Sequence, residues 1–174
     1  MLEIIVVWSE ATPSVPEAGT SDSVGWEDPV TGLPGPDVWQ RLLASEVART
    51  ARYRRPLTVV LLDVVGVEDF QLAWGEDVGP QALREVALCL RRMARSSDHC
   101  ARIGTFRFGI LLTETDEIAA INFVERLREA GPRSLSRADG QLRFTFGWAS
   151  PNHGEGADDV VRRAASRIAL DRAD

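Results

Sequence analysis

The stretch from Arg95 to Leu112 reads R-S-S-D-H-C-A-R-I-G-T-F-R-F-G-I-L-L, and it sets the frame for the rest of the chain. Two β-prone runs, Cys100 to Ile103 and Phe106 to Leu112, flank Gly104-Thr105. Glycine at the first position of a two-residue loop suits a type II′ turn, because it adopts positive φ without steric penalty. The pattern predicts a hairpin with Gly104-Thr105 at its tip. Phe106 and Phe108 are two apart on the second strand and should therefore pack on one face.

Upstream of the hairpin, Leu57 to Val65 is nearly continuous Val and Leu with Asp63 near its C-terminal end, the pattern of a strand buried on both faces. An irregular or short helical piece is expected over Val67 to Trp74, and Ala82, Leu83, Val86, Ala87, Leu90 and Met93 mark a longer helix. Downstream, Ile118, Ile121, Val124 and Leu127 recur at helical spacing within Glu117 to Ala130, and Gly131-Pro132 stops that helix. Leu142, Phe144, Phe146 and Trp148 alternate with Arg143 and Thr145, a period of two that predicts a strand with Trp148 in the core. A last helix runs from about Asp158 to Leu170. From Leu57 onward the order is β-α-β-β-α-β-α. It predicts an α+β fold: a ferredoxin-like sheet with an antiparallel central hairpin, right-handed crossovers and helices packed against it.

Ahead of this core, Pro36 sits at a favourable first-turn position, and Trp39, Leu42, Leu43 and Val47 share one face of a helix ending near Tyr53. Met1 to Trp8 is an apolar, β-branched run, and Ser9 to Gly25 has the Ser, Thr, Pro, Gly and acidic content of a linker. Residues 1–27 are thus read as an N-terminal strand on a tether and residues 28–174 as the folded domain. The strand could add to an edge of its own sheet or of a second copy. Trp8 and Trp26 flank the tether and are candidates to anchor it. Met1 to Trp8 carries Glu3, lacks a basic n-region and is too short to span a bilayer, so it is expected to be neither a signal peptide nor an anchor.

Composition narrows the function classes. At 174 residues, 44% hydrophobic and 26% charged, the chain is long enough for one sizeable core and is ordinary for a soluble protein. A net charge of -6 argues against general nucleic-acid binding, which depends on clustered Lys and Arg. Cys89 and Cys100 have no metal-ligand spacing and read as small buried hydrophobes, as suits a reducing cytoplasm. His99 and His153 lack partners at ligand spacing, which favours surface or structural roles.

Several short blocks together resemble the GGDEF (diguanylate cyclase) domains. Their signature turn reads Gly-Gly-Asp/Glu-Glu-Phe between two strands, where this chain has Gly104-Thr105-Phe106-Arg107-Phe108. Asp28-Pro-Val-Thr-Gly-Leu-Pro-Gly-Pro36 is similar to the family's D-x-L-T-G-L-P-N-R, and the resemblance extends over residues 28 to 172. It implies a cyclase-palm fold with additional N- and C-terminal helices. The family condenses two GTP molecules into cyclic di-GMP across a dimer, with metal ions held by two carboxylates. Asp63 matches the first of these ligands. The second falls on Phe106, whose ring cannot ligate a hard cation, and Arg107 replaces the following acid. Thr105 adds a Cβ where the second glycine lets backbone approach phosphate.

The resemblance places guanine recognition at Gln71-Leu72 and at Pro80 beside Gly79, where proline offers the base no acceptor. The C-terminal block over Ala164 to Arg172 keeps only the basic residue Arg172. Asp63, Gly104, Thr105, Phe106, Arg107 and Phe108 are therefore read as a vestigial active site. No catalytic residue, metal or cofactor is expected, and the chain is read as a non-enzyme.

One family constellation survives. Arg95-Ser96-Ser97-Asp98 matches the R-x-x-D inhibitory site at which members bind cyclic di-GMP. A guanidinium can bond guanine O6 and N7 together, and a carboxylate can accept from N1 and N2. The family site commonly adds a basic residue from the next helix, for which Arg126 is the first candidate and Arg128 the second. Equally, Arg95 and Asp98 can be a solvated pair worth about 0 to 1 kcal/mol. The expected function is a catalytically inactive signalling domain from a bacterium, a receptor for cyclic di-GMP. The alternative is a nucleotide-independent interaction or dimerisation module, and a residual nucleotidyl cyclase comes third. Expected partners are cyclic di-GMP and a second copy or another protein, with no nucleic acid and no membrane insertion, in the cytoplasm.

Overall fold

β1 (Leu57–Val65) is the central strand, and its Leu, Thr and Val residues favour the extended backbone it adopts. It pairs antiparallel with β3 (Arg107–Thr113) on one side and β4 (Arg143–Ala149) on the other. β2 (His99–Arg102) pairs with β3, giving the order β2-β3-β1-β4. Between β1 and β2 come α2 (Val67–Trp74) and α3 (Val78–Met93), and α4 (Glu117–Ala130) joins β3 to β4. α1 (Pro36–Tyr53) precedes the sheet and α5 (Ala157–Asp171) follows it. The computed structural model describes residues 26–131 and 142–171, without the side chains of Trp74 and residues 169–171. The α+β fold and order read from the sequence are those of the protein. The expected N-terminal strand and tether fall on residues 1–25, outside the described residues.

Alternation along the strands divides two cores. Val60, Leu62 and Val64 join Phe108, Ile110, Leu112 and Phe146 under α3 and α4. Leu57, Val59 and Leu61 join Leu111 and Ala149 on the opposite face, covered by Trp39, Leu43 and Val47 of α1 and Val160, Ala164 and Ile168 of α5. This second face is built for close approach. Gly109 and Gly147 flank Leu61 on the two neighbouring strands. A Cβ on Gly109 would lie 2.7 Å from the Trp39 ring, and one on Gly147 would lie 1.9 Å from the Ala164 carbonyl oxygen. The helices rest on bare backbone at these two points.

Three local expectations change. The hairpin loop is wider than two residues: Arg102 pairs with Phe108, which puts Thr105 at the apex, and Ile103 and Gly104 both donate to the Arg107 carbonyl. Gly104 has no positive φ, so the type II′ turn is not formed. On α4 the buried face is Ala120, Phe123, Val124 and Leu127, while Ile118 and Ile121 are exposed. On β4 the supposedly outward Thr145 is buried, because β4 is covered on both faces, and Trp148 is half-buried against the α3–α4 core. Phe106 and Phe108 do pack against one cluster, although Phe106 belongs to the loop rather than to β3.

The turn leading into α1 is tied to the hairpin tip. Asp28 Oδ2 accepts from the Thr31 amide at 2.8 Å and hydroxyl at 2.7 Å, and Gly32 takes the positive φ of 66° that this turn needs. Arg102 donates to Asp28 Oδ1 at 2.8 Å and to the carbonyls of Gly104 and Thr105 at 3.2 and 2.9 Å. Burial alone would raise the Asp28 pKa, but hydrogen bonds from Thr31 and the Arg102 charge override it and hold the carboxyl below its ordinary range.

Candidate functional sites

The C-terminal end of β1 opens into a cleft of about 880 Å³ lined by residues 63–69 together with Phe106, Arg107, Arg128, Arg143, Phe144 and Thr145. Asp63 is at its base, directly opposite Arg107 on β3. The register turns this into a fork-to-fork pair: Arg107 Nε donates to Oδ1 at 2.6 Å and Nη2 to Oδ2 at 2.8 Å. The Asp63 side chain is 7% exposed and that of Arg107 42%. Hydrogen bonding to Asp63 raises the Arg107 pKa above its ordinary value, against an opposing desolvation, so the guanidinium stays charged. On the other side Asp63 pairs with Thr145, whose buried hydroxyl has no hydrogen-bond partner among the described residues.

A divalent ion does not fit these residues. Both oxygens of Asp63 already accept from a cation, and Phe106 packs on the core instead of presenting a ligand. Among the described residues no group of three His, Cys, Asp or Glu side chains is placed to hold a metal. The side chains at the base-recognition positions also point to other work. Gln71 donates to the Glu76 carbonyl at 3.0 Å and lies over Gly79, where a Cβ would come within 2.6 Å of Nε2. Leu72 is 88% exposed. Pro80 is in the first turn of α3, where a missing N–H leaves no helical bond unmade. At the C-terminal block, Arg167 reaches Glu117 Oε2 at 2.8 Å, and Arg172 lies outside the described residues.

A second, shallower cavity of about 440 Å³ is lined by Arg91, Arg95 and Asp98 with Leu33, Leu42 and Cys100, and shares no residue with the Asp63 cleft. Its floor is a fixed turn. Asp98 Oδ2 accepts from the Arg95 amide at 2.9 Å, and Oδ1 accepts from the Thr113 amide at 3.2 Å, pinning the α3–β2 junction to the end of β3. Arg95 is exposed at its rim. Burial, with the Asp98 charge adding to it, pushes the Cys100 thiol up to about 12, which makes it inert as a nucleophile. Cys89 is buried, in line with its reading as a small hydrophobe.

The two candidate basic residues on α4 do not line this cavity. Arg126 lies over the Phe123 ring at 5.9 Å, and Arg128 lies over Phe146 at 5.2 Å in the wall of the Asp63 cleft. The basic residue beside Arg95 is Arg91, one turn earlier on α3, whose guanidinium donates to the Gly32 carbonyl. Arg91 and Arg102 were not singled out in the sequence. Only their distance from the Asp28 turn, set by the fold, gives them roles.

With the fold and clefts in place, relatives can be weighed. The family model for the diguanylate cyclase GGDEF domain matches residues 26–173, so the chain belongs to the GGDEF family. Similar proteins include the diguanylate cyclase DgcP of Pseudomonas aeruginosa, 32% identical over 155 residues covering 83% of this chain and 23% of DgcP. The diguanylate cyclase DosC of Escherichia coli is 33% identical over 97 residues, covering 55% of this chain and 21% of DosC. The chain thus spans less than a quarter of the length of these relatives. Among solved structures, the Caulobacter crescentus DgcB GGDEF domain in complex with cyclic di-GMP superposes at a TM-score of 0.80 with 22% identity, covering 92% of this chain and 94% of that one. The diguanylate cyclase SiaD of Pseudomonas aeruginosa, in complex with its activator SiaC, gives 0.78 with 28% identity over 85% of this chain and 58% of that one. Among the described residues no helix is long and apolar enough to cross a membrane.

Proposed function

We propose that this chain is a non-catalytic GGDEF domain that binds cyclic di-GMP at the Arg95–Asp98 turn and passes that state to a protein partner in the bacterial cytoplasm. The observation that carries the binding half is the turn itself. Asp98 is spent on two backbone amides, which hold it and the Arg95 backbone in one orientation, while Arg95 stands exposed at the cavity rim. A carboxylate has capacity for more than two hydrogen bonds, so Asp98 can still accept from guanine N1 and N2 while Arg95 meets O6 and N7. Arg91 replaces Arg126 and Arg128 as the supporting cation in this reading. The non-catalytic half is supported by Arg107 lying on Asp63.

The interaction-module alternative is favoured by a different observation, the exposure of Ile118 at 77% and of Ile121 one turn on along the same helix. Calorimetric titration with cyclic di-GMP and with GTP, each with magnesium and with EDTA, separates the readings. Saturable heat from cyclic di-GMP in EDTA is the expected result. Silence up to high micromolar ligand would leave the interaction module as the better account.

A further inference from the structure

We propose that the Arg107 guanidinium is a resident cation of the Asp63 cleft, a tethered substitute for a metal ion that closes the site to divalent cations and makes the domain's stability independent of them. This rests on the non-catalytic reading of the cleft and adds what holds it in that state.

A carboxylate as buried as that of Asp63 needs a counter-charge, because an unpaired ion in the protein interior is strongly destabilising. In a site with two acidic ligands a divalent ion could supply that charge. Here the half-buried loop residue Phe106 packs against the core at the edge of the cleft, and Arg107, the next residue, meets Asp63 across the β1–β3 ladder. The pairing is over-determined. The strand register fixes both Cα positions, Val64 donates to the Phe106 carbonyl at 2.9 Å just beside it, and the planar fork takes both carboxylate oxygens. An approaching dication would have to displace two charge-assisted hydrogen bonds and then remain next to the displaced guanidinium.

The field in the cleft gives a dication no reason to collect. Among the described residues the charged side chains lining it are Asp63, Glu68 and Asp69 against Arg107, Arg128 and Arg143, three of each sign. Arg128 also stands over Phe146 and within 3.7 Å of Glu125, so the wall contains its own balanced pairs.

The test is thermal unfolding of the wild-type protein, Arg107→Ala, and Arg107→Ala combined with Asp63→Asn, each in EDTA and in excess manganese. The wild type should melt at the same temperature in both solutions. Arg107→Ala should melt lower in EDTA by about 4 to 8 °C, a value reduced from that of a fully buried pair because Arg107 is partly solvated. Adding Asp63→Asn should recover most of that loss, since the buried acid that has lost its guanidinium fork is then neutral. A wild-type melting temperature that rises with manganese would overturn the proposal even if Arg107→Ala failed to fold, and so would an Arg107→Ala protein as stable as the wild type. Assaying the same manganese samples for GTP turnover keeps the two readings apart. Turnover would overturn the non-catalytic reading, whereas manganese stabilisation without turnover would overturn the resident cation alone.

Discussion

Gly147→Ala is expected to lower the melting temperature by about 6 to 12 °C, because a Cβ there would meet the nearest obstacle of any described glycine. The added Cβ would come 1.9 Å from the Ala164 carbonyl oxygen and 2.8 Å from the Ile168 amide nitrogen. Neither obstacle is the end of a side chain that could swing aside. Relief requires α5 to lift from β4, which would open the core of Leu57, Val59 and Leu61 beneath it. Overpacking of this kind costs about 3 kcal/mol at the upper end of its range. Gly109→Ala is the control, because its obstacle is the Trp39 ring at 2.7 Å and a ring can tilt. Circular-dichroism melts of the two variants would show whether α5 lies on the sheet as closely as described. A Gly147→Ala protein within about 1 °C of wild type would show that it does not.

Arg95→Ala is expected to weaken cyclic di-GMP binding by about 1 to 3 kcal/mol, roughly 5- to 150-fold in Kd, the usual value of a lost bidentate base contact. Its melting temperature should stay unchanged, because the Arg95 side chain makes no hydrogen bond among the described residues, and its amide, which Asp98 holds, remains in the variant. Asp98→Ala should weaken binding as well but also destabilise the domain, since the amides of Arg95 and Thr113 would lose their acceptor. Arg95→Ala is therefore the cleaner probe. Unchanged affinity in it, measured by calorimetry in EDTA, would move the ligand away from this turn.

What the sequence revealed and what it hid follow one division. Elements whose signal is local were legible: the Val- and Leu-rich run of Leu57 to Val65 is the observed β1 residue for residue, and Pro36 and Tyr53 bound the observed α1. On α4 the same reasoning counted Ile118 and Ile121 by hydrophobicity and passed over Ala120, yet the smaller residue is the one that lets the helix approach the sheet. The strand glycines carried no local reason, because what forbids a side chain at Gly109 and Gly147 is a helix placed there by the rest of the chain.

The sites divide in the same way. That Phe106 and Pro80 depart from the family pattern, and that Arg95 and Asp98 match it, is legible in the sequence. That Arg107 would bond Asp63, 44 residues earlier, depended on the β1–β3 register in which the two stand opposite, and no local signal in either strand sets that register. The placement of Arg128 against the Asp63 cleft likewise came from how α4 lies across the sheet, whereas Arg91 is one helical turn before Arg95 and was within reach of sequence spacing.

Under the proposed function this domain binds cyclic di-GMP and does not make it. The most direct test is mass-spectrometric detection of cyclic di-GMP after prolonged incubation of the purified protein with GTP and magnesium or manganese. No product above a protein-free blank is expected, and none from Phe106→Glu either, because Arg107 would still lie across Asp63. Cyclic di-GMP accumulating in proportion to the wild-type protein would contradict the proposed function.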